Sequence, residues 1–201
     1  MSGDPWHAAG PPGSTPLTEE DKRGLIPSYI ATRGELNEAE QSNILRAGRS
    51  RRWRRLPADQ LLDDLVARGL HRAMFGQVWT WAGQYRTREL NVGGDPRTVS
   101  VAVRDLMDDA KLWLGGDRPM PNDEAAYRFH HRLVLTHPFP NGNGRHARMM
   151  TDLLLHSVGE PAFTWGRVSL DGTSTTRATY IGVLQAADRG DYGPLEAFVR
   201  T

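Results

Sequence analysis

Two runs with apolar residues at helical spacing meet at His137-Pro-Phe-Pro-Asn-Gly-Asn-Gly-Arg-His-Ala-Arg148, and no other segment constrains the fold as much. Pro138 ends the first helix, because the residue before a proline is pushed out of the helical region. A second helix can start only once the loop has turned, and Gly142 and Gly144 let the main chain turn tightly and bring its N–H groups close to a ligand. The new helix points its unsatisfied N–H groups and positive dipole end at the same spot, which favours an anion such as phosphate. Arg145 and Arg148 are three residues apart, so both guanidiniums project from one helical face beside that spot and could hold two phosphates. His137 stands just before the loop and is the side-chain type best suited to moving a proton near neutral pH.

Two common phosphate motifs are excluded. No Gly-Lys-Ser/Thr follows the glycines, and no strand precedes them. Composition narrows the classes further. The 201 residues suit one domain, 38% hydrophobic content and a net charge of +1 are globular values, and neither names a partner. With no cysteine there is no disulfide framework, thiolate zinc site or thiol nucleophile. No stretch approaches the roughly 20 apolar residues of a membrane helix. The expectation is a soluble, cytoplasmic protein without membrane contact.

Residues 1–16 are dense in Gly, Pro and Ser and predict a tail, leaving 17–201 as the domain. Acids early and arginines late predict a helix from Glu35 to Arg55. Another is predicted from Asp59 through Leu61, Leu62, Leu65, Leu70, Met74, Phe75 and Val78, with Gly69 as an interruption. Arg88 to Ser100 alternates around Gly93-Gly94-Asp95-Pro96 and predicts a small hairpin. Helices follow over Val103–Leu114, from a cap at Asn122 to His137, from Gly144 to Gly159, and at about Thr173–Asp188 and Pro194–Arg200. The predicted fold is mainly α, a helical bundle with one β-hairpin flap.

The loop resembles the motif of the Fic (Fido) family, His-x-Phe-x-Asp/Glu-Gly-Asn-Gly-Arg-x-x-Arg, on which His137, Phe139, Gly142, Asn143, Gly144, Arg145 and Arg148 fall. The WAGQYR segment, the upstream hairpin and ATYIGVLQAADRGDYGPL extend the resemblance over about residues 30–200, and ATRGELNEAEQSNI is similar to the bacterial subgroup called mobile mystery protein B. The resemblance implies a protein adenylyltransferase, moving AMP from ATP, with Mg2+, to a Ser, Thr or Tyr hydroxyl of a target protein. It makes His137 the general base, Phe139 a buried anchor, and Asn143 with the Gly142 and Gly144 backbone an anion hole. Arg145 would hold the inner phosphates and Arg148 the γ-phosphate. A flap at about 90–101 would align the target by strand addition.

Position 141 is Asn where the AMP-transferring members have an acidic magnesium ligand, and a neutral amide holds that ion more weakly. The alternative is therefore a catalytically weak or altered-donor module that binds nucleotide or a partner. Many members also carry an inhibitory glutamate, Ser/Thr-x-x-x-Glu-Gly/Asn, paired with the second arginine. Glu35 is the candidate, with Ala31 and Leu36 at the flanking motif positions and Glu38 or Glu40 as substitutes. An ordinary first-turn acid is the competing reading of Glu35. The basic run Arg46, Arg49, Arg51, Arg52, Arg54, Arg55 around Trp53 admits nucleic acid as a minor reading beside a solvated helix face. His130 and His131 read as a core-edge pair, since no His-Glu-x-x-His occurs. The oligomeric state is left open.

Overall fold

The computed structural model describes residues 18–117, 119–166 and 175–201. The predicted tail at 1–16 and the start of the helix predicted from Thr173 lie outside these residues. The described helices are α1 (Glu19–Arg23), α2 (Arg33–Gly48), α3 (Arg51–Arg54), α4 (Ala58–Leu61), α5 (Asp64–Phe75), α6 (Val99–Gly115), α7 (Asn122–Thr136), α8 (Asn143–Ser157), α9 (Thr175–Asp188) and α10 (Gly193–Val199). The fold is mainly α, and no described helix is long and apolar enough to cross a membrane.

Capping side chains divide what apolar spacing reads as longer helices. Ser50 accepts from the Arg52 N–H and starts α3, so the helix predicted over 35–55 is two. Asp63 accepts from the N–H groups of Leu65 and Val66 and starts α5 apart from α4. Gly69 lies inside α5 rather than interrupting it, and faces the Trp53 indole. Asn122 begins α7 but does not cap it: Pro121 holds the cap position, and the Asn122 amide donates to Glu160 Oε1 at 3.0 Å.

The hairpin predicted over 88–100 is not formed. Residues 91–94 run as bends, and Asp95, Pro96 and Arg97 open a helical turn that leads directly into α6. The Asp95 carboxylate accepts from the Arg97 N–H at 2.9 Å, and Pro96 occupies a first-turn position that suits its fixed φ. Val99, Val103, Leu106, Met107 and Ala110 then fall on one buried face of α6, so their spacing in tertiary packing overrides the β-branched character of the segment. Among the described residues, strand pairing is limited to an isolated antiparallel bridge between Leu25 and Trp79.

α8 lies between two apolar clusters. On one side, Ala147, Met150 and Leu154 join Leu36 of α2, Leu70 and Met74 of α5, Leu106 of α6 and Phe129 of α7. On the other, Leu155 joins Tyr127, Phe163, Trp165, Tyr180, Leu195 and Phe198. Packing on both sides fixes the start of α8, and with it the loop after α7, against the rest of the molecule.

Candidate active site

α7 ends at His137, whose main chain is left-handed at φ 49°, ψ 59° and whose N–H returns to the Leu133 carbonyl. The imidazole is only 7% exposed. Its Nδ1 lies 3.2 Å from the Val134 carbonyl oxygen, which can only accept, so Nδ1 carries the proton and Nε2 keeps its lone pair. Burial lowers the His137 pKa to about 4, with the nearby Arg86 acting in the same direction and the Val134 carbonyl against it. At neutral pH the ring is therefore an uncharged imidazole with its proton on Nδ1 and its basic lone pair on Nε2.

The loop that follows is built on Phe139. The ring is fully buried, stacks on His71 with centroids 3.8 Å apart and meets His146 edge-on. Asn143 closes the loop by two hydrogen bonds to the Phe139 main chain, its Oδ1 accepting from the N–H at 2.9 Å and its Nδ2 donating to the carbonyl at 2.8 Å. The Asn143 side chain thus fixes the shape of the loop. Gly142 has φ +79°, and a Cβ at this position would lie 2.6 Å from the Phe75 ring, so no other residue fits without a shift. Beyond it, the N–H groups of Asn143, Gly144 and Arg145 form the first turn of α8, where no carbonyl of the same helix can reach them.

The two arginines stand on α8 as expected but meet different partners. Arg145 donates from its guanidinium to Glu40 Oε2 at 2.6 Å, and lies over the Phe75 ring. Arg148 lies over the Tyr180 ring, 5.6 Å from its centroid. Both line a cavity of about 500 Å3 that α2, α8 and the Pro161–Trp165 segment enclose, with Gln41 and Asp152 among its other walls. The expected Glu35–Arg148 pair is absent. The Glu35 carboxylate accepts from the Ala31 and Thr32 N–H groups at 2.8 and 2.9 Å, closing a capping box that lowers its pKa. It belongs to its own helix start. The carboxylate that reaches the loop's arginines is Glu40, one of the named substitutes, through the first arginine rather than the second.

A model of the Fic/DOC family matches residues 61–155, the stretch from the end of α4 to the last turn of α8 that carries this loop. The chain belongs to the Fic/DOC family. It is 32% identical over 141 residues to the protein adenylyltransferase fic-1 of Caenorhabditis briggsae, a match covering 69% of this chain and 26% of that protein. It is 28% identical over 204 residues to the protein adenylyltransferase Fic of Drosophila persimilis, covering 96% of this chain and 37% of the relative. The chain thus spans between a quarter and two fifths of the length of these curated relatives. In fold it is similar to the BepC protein of Bartonella tribocorum, solved with bound AMPPNP, at a TM-score of 0.66 and 18% identity, covering 91% of this chain and 97% of that one.

Glu40 and two residues that sequence reasoning did not single out, His71 and Arg86, hold the Fic loop in place. His71 on α5 accepts from the Gly83 N–H at Nδ1 and so donates from Nε2 to the Asn141 carbonyl, 3.0 Å away. Arg86, in the WAGQYR segment, donates to the His137 carbonyl at 2.7 Å. Glu40 takes the Trp79 indole N–H at 2.6 Å as well as Arg145. One signal was available for Glu40: the buried face of α2 is Leu36, Glu40, Asn43 and Ala47, so an acid occupies an inward helical position where it must be paired.

Asn141 does not fit a dedicated magnesium site. Its side-chain oxygen is uncharged and already accepts from the Gly142 N–H at 2.7 Å. Among the described residues, no group of three His, Asp or Glu side chains could hold a metal ion. The basic run is partly internal in function: Trp53 is buried, Arg52 lies over it, and Arg46 bonds to Gln77.

Proposed function

We propose that this Fic domain transfers AMP from ATP to a hydroxyl side chain of a protein, acting in the cytoplasm. The observation that carries the reading is His137, uncharged at neutral pH with its proton on Nδ1, one loop away from the first turn of α8. In the reaction the target hydroxyl gives its proton to His137 Nε2 as its oxygen bonds to the α-phosphorus. The bond from that phosphorus to the β-phosphate bridge oxygen breaks, and pyrophosphate leaves. The main-chain N–H groups of the Fic loop would receive the charge that builds on the phosphoryl oxygens, a role worth most when donors are fixed in advance. Arg145 would hold the inner phosphates and Arg148 the γ-phosphate, and the target would dock on the loop at 89–95 and the turn that follows. The names of the nematode and fly relatives support this reading. Any magnesium would be carried in by the triphosphate's own oxygens.

The test is to incubate the protein and a cell lysate with α-labelled or γ-labelled ATP. Label from the α position appearing on a protein band, with none from the γ position, is the expected result. Label from the γ position would replace AMP transfer with another donor chemistry. Asn141 favours one second reading, a domain that binds nucleotide without turnover. That reading predicts ATP-dependent thermal stabilisation and no labelled band.

Glu40 competes with the phosphates for Arg145. A carboxylate 2.6 Å from the guanidinium neutralises it, whereas an amide would keep the Trp79 bond and release the charge. Glu40→Gln is expected to bind ATP about tenfold more tightly, or ~1.4 kcal/mol. The free variant should also melt at a lower temperature, because the half-buried Arg145 loses its counter-charge. Titration calorimetry and melting curves with and without ATP check both signs. Unchanged affinity would assign Glu40 a purely structural place.

A further inference from the structure

Arg86 is an expensive residue for its position. It is 3% exposed, and the hydrogen bonds of its guanidinium all go to main-chain carbonyls: Nε to His137 at 2.7 Å, and the two terminal nitrogens to Arg88 at 3.0 Å and Gly94 at 2.7 Å. Its own N–H donates to the Pro138 carbonyl at 2.9 Å. Burying a cation costs free energy that neutral acceptors offset only in part. A planar fork with five donors can span three carbonyls from two segments, and a lysine or an amide cannot. What it spans here is the junction between the catalytic loop and the loop at 89–95.

The contact is tight from the other side too. Gly93 has φ +94°, and a Cβ there would lie 2.7 Å from an Arg86 terminal nitrogen and 3.0 Å from the His137 Cβ. The 89–95 loop therefore rests directly on the base, with the guanidinium between them. His137 itself is held in a left-handed conformation that a side chain other than glycine adopts at a cost. Among the bonds that keep it there are its own return to Leu133, its Nδ1 contact with the Val134 carbonyl and the Arg86 grip on its carbonyl.

We infer that Arg86 is a positioning residue for the transfer reaction, which locks the base at His137 to the loop that presents the target hydroxyl so that the two move as one unit. The inference rests on the AMP-transfer reading for its consequence in rate. A displacement of about an ångström at a reacting centre can cost roughly a hundredfold. Arg86 touches no reacting atom and acts through the main-chain carbonyls of His137, Arg88 and Gly94.

The experiment compares wild type with Arg86→Lys, Arg86→Gln and Gly93→Ala. Gly93→Ala disturbs the same junction from the half-exposed loop and leaves the guanidinium in the chain. Three readouts are taken: the rate of α-label incorporation at saturating ATP against the apparent KM for ATP, the histidine ring NMR signals, and amide exchange over residues 88–95 and 137. The expected result is a rate at least tenfold lower with KM for ATP unchanged. Amide exchange should be faster over both segments together, and the His137 ring signal should shift. Arg86→Lys should recover less than half of the loss relative to Arg86→Gln, since one ammonium cannot reach three carbonyls.

Two results would overturn the inference. One is faster exchange in 88–95 with residue 137 and the His137 ring unmoved. The other is full label incorporation by a folded Arg86→Gln or Gly93→Ala variant. If the Arg86 variants fail to fold, Gly93→Ala decides alone by the same criteria. If wild type incorporates no label, the AMP-transfer reading fails separately, and the exchange and ring signals still decide whether Arg86 couples the two loops.

Discussion

Replacing His137 with Ala should lower label transfer by a factor of about 10²–10⁴, the range removed with a positioned general base, while ATP affinity stays near that of wild type. The split follows from the geometry. His137 sits at the end of α7, whereas the phosphate-binding groups proposed here belong to the first turn of α8 and to Arg145 and Arg148. A pH profile distinguishes this base from an ordinary histidine. With a pKa lowered to about 4 by burial, His137 is neutral throughout the range from pH 8 to pH 6, so the rate should be flat there. A histidine at its ordinary value near 6.5 would lose about fourfold over the same interval. A rate that fell with a midpoint near 6.5 would mean that the imidazole is solvated in the working state, and a His137→Ala variant with full activity would remove it from the mechanism.

The elements that could be read from the sequence are those whose signal is local. Apolar residues at helical spacing located α5 to α8 to within a few residues, and Pro138, Gly142 and the glycine-rich turn marked the loop between the last two. Val99 reads as a strand residue because the run RTVS partly alternates. The Asp95 cap and the packing of Val99 into the core make it helical instead. That decision depends on partners in other helices, which no short window contains. Glu35 illustrates the opposite case. It has the sequence position of a residue facing the loop, yet the nearest unsatisfied N–H groups are those of its own helix start, and a local bond needs no chain closure. The resemblance placed Asn143 in the anion hole and said nothing of its bonds to the loop. Its two bonds to Phe139 exist only once the loop is closed. Arg86, His71 and Glu40 lie far from the loop in sequence, and each reaches it by a contact that only the tertiary fold creates.

Acid should unfold this domain unusually early, and the cause is the same burial that prepares His137. His130 and His146 are completely buried, with pKa values lowered to about 3 and about 4, and His71 is lowered well below its ordinary value, in each case mainly by desolvation. A ring that stays neutral in the folded state but takes a proton at about 6.5 when unfolded makes the unfolded state the better proton binder as pH falls. The stability these rings contribute is therefore fully present above about pH 6.5 and is lost progressively down to about pH 4. At pH 5, His130, His137 and His146 would each have lost about 2 kcal/mol, on the order of 6 kcal/mol together. Asp152 works against them: burial raises its pKa to about 6 from 3.8, so its contribution is present at low pH and lost as pH rises through 6. It returns roughly 1 kcal/mol by pH 5. The net loss is comparable with the whole stability of an ordinary domain, about 5–15 kcal/mol. Melting temperatures taken at pH 7 and pH 5 should differ by roughly 10–20 °C, at about 2–4 °C per kcal/mol for a chain of this size. His146→Gln sharpens the test, because its amide can still donate to the Ala67 carbonyl that the imidazole bonds at 2.9 Å but cannot titrate. That variant should start from a lower melting temperature at pH 7 and lose fewer degrees on acidification than wild type. Equal acid sensitivity in the two proteins would move the cause of acid unfolding away from the buried histidines.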